Sequence, residues 1–454
     1  MKTRGARLEN VMGLEVCAIH AEGSRRLWRG AGGELTLDNN RLSIGLRMAL
    51  AILTLFIFVT GPYAAAEVVL HNFNYNGRDG FYPGSTLVAD IAGNLYGTTV
   101  VGGIYTGVSE CGSYGCGTVF ELARNPAGGY TEKVVHSFSG TDGCGPTAGL
   151  TIDAAGNLYG TTGACGLYEG GTVFELSANA AGGWTRKVLH HFGNNTDGQG
   201  SSGALLLDGA GNLFGTTVNG GSNGLGTVFE LSPKAGGGWT EKVLHSFNQD
   251  GTDGFYPYSG LVLDTTGNLY GTTNEGGMYR EGTVFELSPK AGGGWTEKVI
   301  HHFGYGSAPY AGLVLDPAGN LYGTTFDGGM YGYGTVFELS PKAGGGWAGK
   351  VIHSFHDNGR DGNNPEGSGL VLDAAGNLYG ATFLGGRYGF GTVFELSPNA
   401  GGGWTEKVLH SFNHDGTDGF CPYASLVFDA AGYLYGTTVD GGIYGYGTVF
   451  RILP

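Results

Sequence analysis

Seven histidines, His71, His136, His190, His245, His301, His353 and His410, occupy one position of a segment that recurs along the chain, and several are followed by acidic turns. Imidazole beside carboxylate is the raw material of metal sites and of proton transfer. If the recurring segments form a ring, however, equivalent positions on its rim lie far apart, so the seven cannot converge on one metal or one substrate. Each is therefore read as a structural histidine satisfied within its own unit, as are Asp264 and its six counterparts. The Asp-Gly-Thr-Asp-Gly turns within residues 247–260 and 412–425 offer the oxygens that calcium takes. Their spacing does not suit a calcium loop. Asn248, Asp250 and Asp253 break the alternating oxygen pattern, and Ser259 stands where a bidentate glutamate is required. Asp and Gly form such turns unaided, which makes turn chemistry the expectation, no cofactor the default and calcium the minor alternative.

Tyrosines are the second chemical signal. Tyr82, Tyr256, Tyr258, Tyr279, Tyr331, Tyr333, Tyr388, Tyr444 and Tyr446 sit among Gly, Asp and Asn in loops expected at one end of the fold. Flat rings beside short polar side chains suit the apolar faces and hydroxyls of sugars, and they suit protein surfaces. The competing reading is that Tyr fills space left by Gly. Cysteines add a third. Cys111 and Cys116 lie in an insert, Cys144 and Cys165 in two loops of the next unit, and Cys421 in the last unit, all expected on the same face. Export favours oxidation, so Cys111–Cys116 and Cys144–Cys165 are candidate bridges that leave Cys421 unpaired. Joining Cys421 to the insert is the alternative, and spacing does not choose between them. No nucleophile elbow, phosphate loop or zinc spacing stands out. Strings of the GxGxxG type carry no weight where 92 of 454 residues are Gly and no helix is expected to follow them.

The elements that must position these residues are strands. GTVFEL recurs almost unchanged from Gly117, Gly171, Gly226, Gly282, Gly334, Gly391 and Gly447, at spacings of 54, 55, 56, 52, 57 and 56 residues. Each unit reads as four strands, shown in the fourth unit by GLVLD (260–264), NLYGTT (268–273), GTVFELS (282–288) and WTEKVIHHF (295–303). Four antiparallel strands per unit without helices predict an all-β, seven-bladed propeller. The strand count also predicts how the ring closes. EVVLHNF (67–73) is a fourth strand standing before any first strand, and the chain ends at Pro454 just after a third strand. Pairing the two completes the last blade and removes an exposed edge. In such a ring the loops from fourth to first and from second to third strand share a face, and these are the variable ones.

Residues 1–66 differ in kind. Arg41 and Arg47, the apolar run 48–59, and then Gly61, Pro62 and Ala64–Ala66 predict a signal peptide over 41–66, while 1–40 reads as an over-extended or disordered start. A run this short falls below the ~20 residues of a spanning helix; an uncleaved anchor is the alternative. Of 24 Lys/Arg and 39 Asp/Glu, eight and five lie in residues 1–66, which leaves 16 against 34 and a net charge of −18 in residues 67–454. Such a surface repels phosphate backbones, so nucleic acid is not an expected partner.

The unit LVLDxxGNLYGTTxxGGxYGxGTVFELSPxxGGGWTEKVLHSF, recurring over residues 67–454, closely resembles the GloVer tandem repeat of bacterial "choice-of-anchor" proteins. The resemblance implies a cell-surface or exported propeller-like protein without an established activity. Members carry varied C-terminal sorting anchors; here nothing follows the last strand, so a soluble, secreted monomer without a C-terminal membrane anchor is expected. A weaker likeness to kelch blades lies in Gly328, Gly329 and Trp347. The leading functional expectation is a non-enzymatic binding or scaffold protein that engages an extracellular polysaccharide or surface partner through several weak equivalent sites. The second is a polysaccharide- or lactone-directed hydrolase or lyase with one site near the central channel.

Overall fold

The computed structural model describes residues 67–454 except 107–110, 127, 195 and 305; the expectations for 1–40 and 41–66 lie outside the described residues. Residues Glu67–Pro454 form one compact unit. Seven four-stranded antiparallel sheets follow one another in a ring, and no helix occurs among the described residues. The predicted seven-bladed propeller is the observed fold.

The fourth blade shows why this sequence makes a blade. Its strands are Val262–Leu263, Leu269–Thr273, Thr283–Pro289 and Trp295–His302. A middle strand of a propeller is covered on both faces by neighbouring blades, so it is apolar without strict alternation. Val284, Phe285 and Leu287 are accordingly fully buried. The Gly of LYGTT is a packing requirement. A Cβ on Gly271 would lie 2.5 Å from the ring of Phe285 and 2.9 Å from Leu261. The first hairpin is held by Asp264, whose carboxylate accepts hydrogen bonds from the backbone of Thr266 and Asn268, the Asn268 amide and the Tyr270 hydroxyl. This is the structural role expected for it and its counterparts.

Blades pack through recurring contacts. The Phe that ends each outer strand sits edge-on against the third-strand Phe of the next blade, at 5.2 Å for Phe247 and Phe285. Each outer-strand Trp meets the second strand of the preceding blade, as Trp184 meets Tyr96 at 5.8 Å and Trp347 meets Tyr270 at 5.8 Å. A second-strand Thr reaches across as well: Thr272 donates to the carbonyl of Ala311 at 3.0 Å.

The ring closes as the strand count required. Val68–Asn72 pairs antiparallel with Thr448–Ile452, with Val68 opposite Arg451 and Asn72 opposite Thr448. Phe73 then packs on Phe120 of the first blade at 5.1 Å, and Phe412 packs on Phe450 at 5.2 Å, so the contact is continuous around all seven blades.

Two details differ from the expected strands. The first strands are two residues long rather than five, as in Val262–Leu263 and Val314–Leu315. Beyond the blades, the variable loops form ribbons of their own, such as Gly254–Phe255 with Glu275–Gly276 and Gly419–Phe420 with Asp440–Gly441. These ribbons tie fourth-to-first and second-to-third loops together, which places both kinds at the same end, as expected.

Candidate functional site

Position in a ring decides whether repetition helps or hinders a site. Equivalent residues on the rim diverge, whereas equivalent residues just before the first strand converge on the axis. Each blade places one residue there: Gly84, Thr147, Ser202, Tyr258, Tyr310, Glu366 and Tyr423. Six of them, with Gly367 beside the seventh, line a central cavity of about 320 Å³. One side of this ring is small and hydroxylic; the other, from four successive blades, is Tyr, Tyr, Glu, Tyr.

The aromatic side is fixed by backbone bonds and close packing. Ser202 donates to the carbonyl of Tyr258 at 2.8 Å, and Thr216 to that of Ser259 at 2.7 Å. The rings of Tyr258 and Tyr310 lie 5.5 Å apart, and Tyr310 packs on Phe326 at 5.8 Å. In the sixth blade Gly367 is an extra residue between Glu366 and the Ser of the common Pro-x-Ser pattern. It has φ +65°, and a Cβ there would stand 2.7 Å from the Tyr423 ring, so only glycine admits this arrangement. Glu366 is 5% exposed. Burial, and then the nearby Asp327 carboxylate, push its carboxyl up to about 7. Burial also raises the Tyr423 phenol, followed by the fields of Glu366, Tyr310 and Tyr258. These four residues form one electrostatic neighbourhood.

The nine tyrosines singled out in the sequence divide accordingly. Tyr258 belongs to the channel ring. Tyr82 and Tyr446 join a cluster at the closing seam, where Phe81 is ringed by Tyr82, Tyr114 and Tyr446 at 5.2, 6.3 and 5.3 Å and by Tyr75 at 5.3 Å. Tyr256 packs on Phe255 at 5.1 Å, Tyr331 stacks on His356 at 4.1 Å, and Tyr388 lies under Arg387 at 5.5 Å. Tyr279, Tyr333 and Tyr444 are exposed on separate loops. Tyr310 and Tyr423 of the channel, and the buried Glu366 beside it, went unnoticed in the sequence. Aligning the seven residues before the first strand, rather than collecting tyrosines by loop, is the signal that finds them.

On the rim, five of the seven histidines bond the aspartate of the loop that follows them. Nε2–Oδ2 distances are 2.8 Å for His136–Asp142, 2.9 Å for His190–Asp197, 3.0 Å for His245–Asp253, 3.2 Å for His353–Asp361 and 3.1 Å for His410–Asp418. His71 stands 3.5 Å from Asp79, and His301 has no such aspartate because its loop is short. The structural role therefore extends to most units but not to all seven. The sequence reading also missed a third member: a glutamate from the next outer strand at five of these seams, namely Glu67, Glu132, Glu241, Glu297 and Glu406. Burial first, and the adjacent aspartate second, raise Glu67, Glu132, Glu297 and Glu406 to about 7 and Glu241 to about 6. At the sixth seam Arg186 takes the glutamate's place. Burial opposes ionisation of Asp142, yet hydrogen bonds from His136 and Ser139 hold it down at about 2. In the acidic turns, Asp250 caps the backbone of Thr252 and Asp253, in keeping with turn chemistry.

Cys111–Cys116 and Cys144–Cys165 are disulfides with Cα–Cα separations of 4.9 and 5.4 Å. In the blade of the second, the loop ribbon is reduced to one antiparallel bridge, Cys144 opposite Ala164, which the disulfide adjoins. Cys421 is disulfide-bonded too, which corrects the expectation of an unpaired thiol; the mutual pairing of Cys111 and Cys116 removes the alternative of a bridge to the insert. Disulfides of this kind indicate an oxidising, extracellular environment. No helix among the described residues is long and apolar enough to cross a membrane.

A family model described as the Gloeobacter/Verrucomicrobia repeat matches residues 100–315 and 293–454. No curated protein matches the chain.

Proposed function

From the premise that the chain belongs to the Gloeobacter/Verrucomicrobia repeat family, we propose that it is an exported, non-enzymatic binding protein whose channel mouth takes a sugar residue of an extracellular polysaccharide. The observation that carries this reading is the two-sided ring on the axis. Tyr258, Tyr310 and Tyr423 offer faces for the apolar side of a pyranose, and Thr147, Ser202 and backbone groups offer hydrogen bonds to its hydroxyls. A cavity of about 320 Å³ suits one sugar unit better than a folded protein partner. The seam cluster around Phe81, with Tyr75 and Tyr114 exposed, supplies a second aromatic surface for a longer chain. Convergence on one axis favours one principal site per molecule over the several equivalent sites expected from repetition.

A glycan array of neutral oligosaccharides, followed by calorimetry on the binders, tests this. One site per chain is expected, with Tyr258→Ala or Tyr310→Ala weakening binding about tenfold, since a stacked ring is worth on the order of 1 kcal/mol. Array silence, or affinities indifferent to both substitutions, overturns it. The hydrolase or lyase reading draws on a single observation, the buried Glu366 whose raised carboxyl resembles a general acid. Turnover of a bound glycan that is lost in Glu366→Gln would put that reading first.

A further inference from the structure

We infer that three of the seams between blades are binding sites for divalent transition-metal ions of the zinc class, each held by a histidine and an aspartate of one blade and a glutamate of the next. In three seams, His71/Asp79/Glu132, His245/Asp253/Glu297 and His410/Asp418/Glu67, one potential ligand atom from each residue lies within 4.8 Å of the other two. Around a tetrahedral ion at ordinary bond lengths such atoms stand ~3.4 Å apart, so small side-chain adjustments complete the site. One imidazole nitrogen with two carboxylates leaves a fourth position for water, the pattern of an open zinc site.

Unpartnered buried oxygens point to the ion. Asp79, Asp253 and Asp418 are 5, 5 and 6% exposed. In each, one carboxylate oxygen, Oδ1, is fully buried and has no hydrogen-bond partner among the described residues; the same holds for Oε1 of Glu67, Glu132 and Glu297. Two buried carboxylates side by side without a cation repel each other and forfeit their hydration. The chain itself supplies the control. Where the glutamate is replaced, its substitute is Arg186, whose Nη1 lies 3.4 Å from Asp142 Oδ2: a positive group stands where the other seams present a second acid. Where the aspartate is missing, after His301, the facing residue is Gly349 and the second acid is missing with it. The two acids are thus kept together, lost together, or answered by a fixed cation. Two of the three sites flank the closing strand, so the ions fasten both of its sides.

The test uses the full chain, stripped with a chelator and dialysed against micromolar Zn²⁺, with bound metal measured by mass spectrometry and stability by thermal melting. At least three ions per chain are expected, together with a melting temperature raised by Zn²⁺. Glu297→Gln should lower the stoichiometry by one, and Arg186→Glu, which recreates the common triad, should raise it by one. His245→Ala provides a second loss variant should Glu297→Gln fail to melt cooperatively. Fewer than one ion per chain, a stoichiometry unmoved by these substitutions, or binding of Ca²⁺ in place of Zn²⁺ would each overturn the assignment.

Discussion

Glu366 is the residue whose chemistry depends most on where the fold puts it. In an unfolded chain its carboxyl titrates near 4.5, and buried in the fold it is held at about 7. The folded protein binds this proton more tightly than the unfolded one, so the associated stability is fully present below about pH 4.5 and is lost as pH rises through about 7. At roughly 1.4 kcal/mol per unit, the whole effect is on the order of 3 kcal/mol. Glu366→Gln is expected to flatten this part of the pH–stability profile relative to the parent when melts are compared between pH 5 and 8. Asp440, raised to about 7 by burial, acts in the same direction in both proteins, which is why the difference between them is the readout. Parallel profiles would show that Glu366 is not a buried acid. The rim histidines, by contrast, are set by local contacts: five are oriented by a hydrogen bond to an aspartate, and the Phe two positions on packs edge-on, 4.8 Å away for His245 and Phe247.

At the scale of the element, the second strand does more than pair with its neighbours. Its penultimate threonine bonds the next blade in most units, including Thr98 to Pro146 at 2.9 Å, Thr216 to Ser259 at 2.7 Å and Thr272 to Ala311 at 3.0 Å. Thr161 is the exception, a buried hydroxyl with no partner among the described residues. In the sixth blade Ala381 takes the position, and Ser368 makes the bond across instead, to the Tyr423 carbonyl at 3.1 Å. Thr272→Val should therefore cost about 1–3 kcal/mol, whereas Thr161→Val, the same change in the same strand position, should be neutral or stabilising. Denaturant midpoints of the two variants decide this, and equal losses would mean that the hydroxyls do not bridge blades. Gly271→Ala in the same strand is expected to cost about 1–3 kcal/mol through overpacking against Phe285, again read from the denaturant midpoint.

For the whole molecule the decisive feature is closure. Phe73 is fully buried and makes, from the first described strand, the contact that Phe247 makes from within the ring. If closure contributes as any other seam does, Phe73→Ala and Phe247→Ala should destabilise alike, by about 3–5 kcal/mol. A Phe73→Ala protein that melts like its parent, beside a weakened Phe247→Ala, would mean that the strand only decorates an already stable ring. The Cys111–Cys116 and Cys144–Cys165 disulfides belong to the first and second blades, where their four cysteines pack into one buried cluster.

Blade number, strand order and the closing pair were legible in the sequence, because each rests on local patterns, GTVFEL, LYGTT and an orphan EVVLHNF, that recur often enough to be counted. The structural part of Asp264 and its counterparts was legible for the same reason, since they act within a unit at constant spacing, whereas the choice among cysteine pairings was not, because the cysteines do not recur. What lay beyond the sequence depends on curvature. Only a closed ring separates rim from axis, and so only the tertiary structure gathers Tyr258, Tyr310 and Tyr423, which are more than 160 residues apart at their extremes, into one cavity, with Gly367, the neighbour of the buried Glu366, in its lining. The same curvature brings Glu297 from one blade to His245 and Asp253 of another. Sevenfold repetition argued against a site when its residues were imagined on the rim; on the axis and between blades, where neighbouring units touch, repetition is what builds one.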